Sequence, residues 1–550
     1  MDYEALAELL FGDIDTVPDD IYKMYPERQL PEGALVTRIA PSPTGFVHFG
    51  NLFPAITSER MAHQSGGVFY LRIEDTDAKR EVPGAVEVIM KAFGNFGLKF
   101  DEGATIDGDD GAYGPYRQRQ REKIYKTFAK QLVREGKAYP CFCSEEELSA
   151  IHEEQEKEKS NFGYFGKWAK CRHLEYGEIK KNIDEGKSFV LRFRSEGNPE
   201  NKIKFKDIVK GEIDLSENDM DHVLLKSDGI PTYHFAHVVD DHLMGTTHVV
   251  RGDEWLSTLP FHLQLFRAMG WKAPKYLHVS PLMKLDGESK RKLSKRKDPE
   301  AALTFYASEG YPSEAVYEYI LTLLNSGFED WRRQNPSVSA RDYKFQYRKM
   351  SVSGALFDIV KLNDVSKNYV SGLSADKVYD EVSAWAKEYD EAFYSIFTRD
   401  RDYTTEILKI GRGGKKPRKD FGIWSEVKGY MDFFFDELFN PDYAFDEKLD
   451  KTDIRAILTE YKEIYDENDD NNAWFDKIRE LSEKHGFCKD VKAYKENPDG
   501  FKGHVGDVSM ILRIAVCGRT NSPDMYSVFK IIGRDRLKER INRAIEALDR

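Results

Sequence analysis

The chain is 550 residues long, 40% hydrophobic and 32% charged, with 29 Tyr, 34 Phe and a formal net charge of -13. That length is too great for one compact core and implies roughly two to four domains. The composition excludes a disordered chain, and the acidic balance excludes a protein that coats nucleic acid indiscriminately, while leaving room for local basic tracks. Five cysteines, an odd number in so long a chain, argue against a disulfide framework and leave metal ligation or burial as their uses.

"MDYEALAELLFGDID" opens the chain as an acidic, amphipathic, helix-like stretch. It has no basic n-region leading into an apolar h-region, and no later segment offers about eighteen uninterrupted apolar residues, so a cytoplasmic address without a membrane is expected. Leu35 to Ala40 reads as a buried strand. Pro41 and Pro43 force extended backbone before them, Gly45 permits a tight turn, and from His48 the pattern is helical, with Leu52, Ile56 and Met61 spaced around Ala55 and Ala62. "GGVFYLRIED" is a second strand, completing a strand, helix and strand unit that implies a parallel sheet. Around 115 to 220 the alternation breaks into helix, cysteine loop and irregular strands, the texture of an insertion. Sheet-like sequence resumes at "DHVLLKSDGIPTYHFAHVVDDHLMGTTHVVRGDEW". Beyond about 300 the chain reads as helices. "SEAVYEYILTLLNSGF" stops at Gly327, "DVSMILRIAVCG" at Gly518, and "SPDMYSVFKIIG" takes Ser522 as N-cap, Pro523 as first residue and Gly533 as stop. "DENDDNN", from Asp466 to Asn472, is a polar loop in that helical half, and no internal repeat is present.

Four stretches carry chemistry. No GxxxxGK[ST] loop exists, but "PSPTGFVHFGN" delivers His48 to the first turn of a helix that follows a strand, where free N–H groups and the helix dipole favour an anion. "KRKLSKRK", Lys290 to Lys297, concentrates six basic side chains in an acidic protein; standing alone, such a run reads as solvated surface. "CFC" (Cys141, Cys143) and "CRH" (Cys171, His173) flank a helix that Ser144 and Glu147 cap as a box. Three thiolates and an imidazole suit tetrahedral zinc, and spacing alone leaves zinc and reduced buried cysteines equally open. "GRGGKKPRKD" gathers Arg412, Lys415, Lys416, Arg418 and Lys419, readable as a phosphate track or as a solvated loop.

His48-Phe49-Gly50-Asn51 resembles the HIGH signature of class I aminoacyl-tRNA synthetases, with Phe49 bulkier than the usual residue, and "TRIAPSPTG" before it resembles the glutamyl-tRNA synthetases. Lys292-Leu293-Ser294-Lys295-Arg296 resembles the KMSKS loop. The likeness continues through "RIEDTD", "GPYRQ", "VVRGDEW" and "SVSGALFD" to the last seventy or so residues, so it covers most of the chain beyond the first thirty-three or so.

The resemblance implies an α/β fold: a Rossmann-like parallel-sheet catalytic domain with an inserted acceptor-binding domain, followed by an all-helical anticodon-binding C-terminal half. The divisions expected are 1–33 (extension), 34–115 and 221–300 (catalytic halves), 116–220 (insertion), 301–375 (stem contact) and 376–550 (anticodon binding). It implies a bacterial-type glutamate–tRNA ligase using ATP, Mg²⁺, L-glutamate and tRNA(Glu), acting as a monomer. Adenylation passes through a five-coordinate α-phosphorus, so preorganised donors lower the barrier, each worth roughly 3 kcal/mol. By resemblance the catalytic donors are His48, Lys292 and Lys295, with Gly50, Asn51 and Ser294 completing the ATP site. Lys292 and Lys295 reach it from a mobile loop, and the remaining basic residues of the run face the tRNA or solvent. Glutamate falls to Arg38 and Arg251, whose forks suit a carboxylate, with Glu74 and Tyr233 at the amino group and Ser42 and Trp255 further along the pocket. Without the motifs, both arginines would read equally as structural ion pairs. A neutral amide would leave the arginines incompletely paired, which discriminates against glutamine. His237 stands where many members carry asparagine, either as a substrate contact or as a pH-sensitive neighbour. Some bacterial members carry the C-x-C and C-x-H arrangement, which implies one structural Zn²⁺ on Cys141, Cys143, Cys171 and His173. Arg418, after Pro417, and Lys416 are the expected tRNA contacts. The rivals are a glutaminyl or relaxed enzyme that also charges tRNA(Gln), a small-molecule adenylyltransferase, and an RNA-binding protein with a lapsed site.

Overall fold

The computed structural model describes residues 1–44, 47–77, 79–294 and 296–549; Gly45 and Lys295, both invoked above, lie outside the described residues. The chain forms two compact units, one of Met1–Phe305 with Tyr317–Asp358, the other of Tyr306–Val316 with Ile359–Arg550. The segment expected as one stem-contact domain, 301–375, is thus shared between them.

In the first unit, strand β1 (Val36–Ile39) is buried at every position, as a strand covered on both faces must be. It pairs in parallel with β2 (Val68–Leu71), Val36 opposite Val68 and Ile39 opposite Leu71, and β2 pairs in parallel with β3 (Glu102–Ala104). Between β1 and β2, helix α1 (Leu52–Gln64) buries Leu52, Phe53, Ala55, Ile56, Met61 and Ala62, the face its spacing predicts. Strand β4 (His248–Gly252) runs parallel to β5 (Lys275–Val279). The Thr247 amide donates to the Val36 carbonyl, which sets β4 beside β1. The spatial order is therefore β3, β2, β1, β4, β5. It reverses between β1 and β4, and a crevice opens at the carboxyl ends of strands around such a reversal. Helix α2 (Tyr233–Leu243) leads into β4, and α3 (Leu259–Ala268) joins β4 to β5.

The insertion contributes Ala138–Cys141 and Val190–Phe193 to an antiparallel sheet that Val223–Leu225, just past the expected boundary at 220, completes, and a hairpin of Lys202–Asp207 with Gly211–Ser216. Ser144 Oγ accepts from the Glu147 amide at 3.2 Å and Glu147 Oε2 from the Ser144 amide at 2.9 Å, the predicted capping box. Helix Tyr3–Phe11 of the N-terminal extension buries Leu6, Ala7 and Phe11, while Glu8 pairs with Lys130 and Arg134. Tyr25 accepts from Arg121 and donates to the Gly114 carbonyl, and Arg28 donates to the Met244 carbonyl and to Glu102. The extension is thus part of the catalytic unit's polar interior.

The second unit is helical around a core that includes Phe393, Phe397, Ile457, Leu458, Val508, Leu512, Phe529 and Ile541. Helix Val505–Cys517 ends at Gly518 with φ +69°, the left-handed cap that glycine supplies without a Cβ clash. Helix Met525–Ile532 is capped by Asp524, whose carboxylate accepts from the Ser527 amide at 2.9 Å. The expected Ser522 cap is therefore replaced by Asp524, because an oxygen three residues before the recipient amide reaches it directly. The polar loop at Asp466 is shorter than expected, since Asp470 caps a helix beginning at Asn471.

Candidate active site

A cavity of ≈ 370 Å³ opens at the carboxyl ends of β1, β4 and β5, where the strand order reverses. Arg38, His48, Gly50, Asn51, Glu74, Tyr233, Arg251, Trp255 and Lys292 all line it. Ser42 does not; it is exposed. Ser294 also stands off the cavity, its amide donating to Asp298 Oδ2 at 2.9 Å.

His48 is the N-cap of a single helical turn, Phe49–Asn51, rather than a residue inside the first turn of α1. Its Nδ1 accepts from the Gly50 amide at 2.9 Å while its own amide donates to Asn51 Oδ1 at 2.9 Å. An imidazole accepting at Nδ1 carries its proton on Nε2, so the local turn sets the tautomer. Phe49 is fully buried, edge-on to Phe53 and Phe357 at centroid distances of 6.3 and 5.7 Å, which accommodates the bulk noted in the sequence.

Lys292 ends strand Ser289–Lys292, which pairs with Met283–Asp286, and Leu293 is buried just beyond it. The basic run therefore begins in a hairpin and not wholly in a loop. Arg291 is half-buried and pairs with Asp286 at 2.8 Å and Asp298 at 2.6 Å. Lys284 joins Asp298 and Glu300, so the acid pair gathers the base of the hairpin.

Arg38 and Arg251 enter the cavity from β1 and β4, 3% and 5% exposed. Arg38 Nε lies 3.3 Å from Asp241 Oδ1, and Arg72 reaches the same oxygen at 2.7 Å. Burial raises the Asp241 carboxyl, but Arg38, Arg72 and His237 outweigh it and hold the group well below the carboxylate range. Glu74 pairs with Arg72 at 3.1 Å. There burial prevails over the neighbouring arginines and the carboxyl is raised, and a cation arriving beside it favours the charged form. Tyr233 lies against Trp255, ring centroids 4.3 Å apart. His237 is fully buried behind Tyr233, with Nε2 3.0 Å from the Tyr276 hydroxyl and Nδ1 2.7 Å from Asp241 Oδ2. It is not among the residues lining the cavity.

Burial holds His222, His234, His237, His242 and His248 each at about 4. Each is neutral when folded at pH 6, whereas an unfolded histidine titrates near 6.5. Between these values the unfolded chain binds more protons, so stability rises with pH across that window and is lost as pH falls from 6.5 towards 4. Calorimetry at pH 7.5, 6 and 5 is expected to show a melting temperature that drops steeply below 6.5; a flat profile would contradict the buried neutral histidines.

The sulfurs of Cys141, Cys143 and Cys171 lie within 4.8 Å of one another. Cys143 and Cys171 are 3.6 Å apart, close to the ~3.8 Å that two thiolates span around one tetrahedral zinc with Zn–S of about 2.3 Å. Hydrogen bonds from Cys143 and Cys171 push the Cys141 thiol well below its ordinary value. His173 is exposed and lies outside this group. Tyr164 is closer, its hydroxyl 3.3 Å from Cys143 Sγ and accepting from the Cys171 amide at 2.9 Å. Spacing pointed to an imidazole two residues past Cys171; the tyrosine arrives from outside either cysteine pair.

In the second unit, Arg418 is exposed and pairs with Asp420 at 2.7 Å, and Lys416 is exposed. Arg412 turns inward, donating to the Val370 carbonyl at 2.7 Å, with its guanidinium over the Phe421 ring.

Residues 34–364 match the family model described as tRNA synthetases class I (E and Q), catalytic domain, and residues 418–545 match the anticodon binding domain. A glutamate--tRNA ligase of Acetivibrio thermocellus is 50% identical over 547 residues, spanning 99% of this chain and 100% of that protein. One from Sorangium cellulosum is 45% identical over 567 residues, spanning 97% and 99%. Among solved structures, a glutamate tRNA ligase from Elizabethkingia meningosepticum, crystallised in complex with its amino acid, is similar with a TM-score of 0.76 at 30% identity, covering 94% of this chain and 99% of that one.

Proposed function

This chain belongs to the class I tRNA synthetases of the E and Q type, and on that premise we propose that the cavity at the carboxyl ends of β1, β4 and β5 ligates glutamate to tRNA(Glu) at the expense of ATP. The full-length relatives at about half identity carry the glutamate ligase name, which favours this reading over the glutaminyl one. The observation that carries the chemistry is the convergence of two buried arginines, Arg38 and Arg251, on a cavity that His48 and Lys292 also line.

The mechanism follows from the placement of these side chains. The side-chain carboxylate of glutamate pairs with Arg251 and with the terminal nitrogens of Arg38, whose Nε is committed to Asp241. The α-ammonium lies against Glu74 and Tyr233. An α-carboxylate oxygen attacks the α-phosphorus of ATP, an O–P bond forms, and pyrophosphate leaves. The Nε2–H of His48 and the ammonium of Lys292 stabilise the charge that develops on the phosphate oxygens; Lys295 and Ser294, from the same basic run, are proposed to assist. Gly50 and Asn51 present backbone and amide groups beside His48, and Mg²⁺ supplies charge neutralisation on the phosphates when bound. The ribose 2′-hydroxyl of the terminal nucleotide then attacks the acyl carbon and AMP departs. Arg418 and Lys416 are proposed contacts to tRNA in the second unit.

Cys141, Cys143 and Cys171 fit a structural zinc, with Tyr164 or His173 as fourth ligand. One zinc per chain is expected by metal analysis, and stripping it with a thiol-competitive chelator lowers the melting temperature. A metal-free chain of unchanged stability would refute the assignment. One chain supplies every residue of the cavity, so a monomer is proposed as the working unit. Among the described residues no helix is long and apolar enough to cross a membrane, and a cytoplasmic setting is proposed.

The test is attachment of labelled glutamate to separate transcripts of tRNA(Glu) and tRNA(Gln) with ATP and Mg²⁺. Charging of tRNA(Glu) is expected; charging of neither would overturn the reading.

A further inference from the structure

Arg251 is held on its protein side in an unusual way. Its Nε–H donates to His278 Nε2 at 3.0 Å, one N–H of Nη1 to His262 Nδ1 at 3.1 Å, and one of Nη2 to the Trp255 carbonyl at 3.3 Å. A guanidinium has five N–H groups, so one on each terminal nitrogen remains for a ligand. The guanidinium also lies over the Tyr276 ring, 4.7 Å from its centroid.

Both imidazoles are fully buried and accept from a cation, which requires each to be neutral and in one tautomer. For His278 the tautomer is imposed from the insertion. Asp207, 1% exposed at the end of strand Lys202–Asp207, accepts at Oδ2 from His278 Nδ1 at 2.7 Å and from the His278 amide at 3.1 Å. Its other oxygen is pinned by the Val209 and Lys210 amides, each at 2.8 Å. A carboxylate only accepts, so the His278 proton sits on Nδ1 and the Nε2 lone pair faces Arg251. For His262, acceptance at Nδ1 leaves Nε2 to donate to His234 Nδ1, 2.9 Å away. Burial lowers both His262 and His278 from the ordinary histidine value, consistent with neutral rings.

The contrast with Arg38 is chemical. Arg38 is held by a carboxylate, Asp241, which offsets part of its charge. Neutral acceptors orient Arg251 with no carboxylate bonded to it, so more of its attraction remains for an incoming anion than at Arg38. They also restrict a long side chain that would otherwise sample many rotamers. Resting on the reading that Arg251 receives the glutamate side chain, we propose that His278 and His262 are positioning residues for Arg251, and that Asp207 of the inserted hairpin acts through the tautomer it imposes on His278.

The test measures KM for glutamate, KM for ATP and kcat in charging of a tRNA(Glu) transcript, together with melting temperature, for the full chain and for His278→Leu, His278→Gln and Asp207→Asn. His278→Leu is expected to raise KM for glutamate about tenfold while kcat and KM for ATP stay within about twofold. His278→Gln, which keeps a side-chain acceptor, restores most of that loss. Asp207→Asn, which presents a donor to Nδ1 and moves the ring proton towards Arg251, behaves like the leucine variant. An unchanged glutamate KM in both His278→Leu and Asp207→Asn would overturn the inference. So would a joint fall of kcat and both affinities with a lowered melting temperature that His278→Gln does not relieve, which would mark a purely structural role. If the unaltered chain attaches no glutamate, the ligase reading itself fails; an active chain with indifferent variants overturns only the positioning role.

Discussion

Replacing Arg251 with leucine is expected to lower kcat/KM for glutamate by about a thousandfold, roughly 4 kcal/mol of lost transition-state stabilisation. Arg251 is 5% exposed, and its direct hydrogen-bond partners are His278, His262 and the Trp255 carbonyl, none of them a carboxylate. Without it the glutamate carboxylate would enter a desolvated site facing His278 and His262, whose nitrogens are arranged to accept and cannot donate to it. Most of the loss belongs in KM, since the arginine grips the amino acid before and during adenylation alike. Arg251→Lys is expected to recover only part, because an ammonium keeps the charge but not the fork or the three fixed anchoring bonds. Steady-state kinetics with varied glutamate settle the matter; a loss below tenfold in Arg251→Leu would remove Arg251 from the pocket.

Asp241→Ala is expected to destabilise the first unit by about 3–5 kcal/mol, the usual cost of leaving buried partners uncompensated. The carboxylate is 1% exposed and meets Arg38, Arg72 and His237 at 3.3, 2.7 and 2.7 Å. Its folded pKa is depressed, so its contribution is fully present above the unfolded carboxylate value near 4 and is lost only as pH falls below it; the effect is therefore complete at pH 7. Denaturant titration followed by a signal from the first unit measures it. The same change frees Arg38, so activity falls further than stability alone explains. An alanine variant as stable as the parent would show that the paired arginines are satisfied by other groups.

Much of the architecture was legible locally. The buried apolar run at Val36–Ile39, the spacing of Leu52, Ile56 and Met61, the Ser144–Glu147 box and the stop at Gly518 each depend on residues a few positions apart. Periodicity and caps record such short-range physics directly. The same holds for His48, whose tautomer is set within its own turn by Gly50. An error arose where two local solutions compete within a few residues: Asp524 instead of Ser522 as a cap.

By itself the sequence determined the parallel α/β unit and the helical second half, because each rests on residue types at short spacing, while the roles expected of His48, Lys292, Arg38 and Arg251 came from the resemblance of their motifs to a family. Only the tertiary structure decided how those groups are held. Asp207 meets His278 and His278 meets Arg251 across separate strands, Asp241 gathers Arg38 and Arg72 from two others, and Tyr25 of the extension satisfies Arg121. No periodicity encodes such meetings. A buried polar atom takes whichever partner packing brings within about 3 Å, and that partner is chosen by the path of the whole chain.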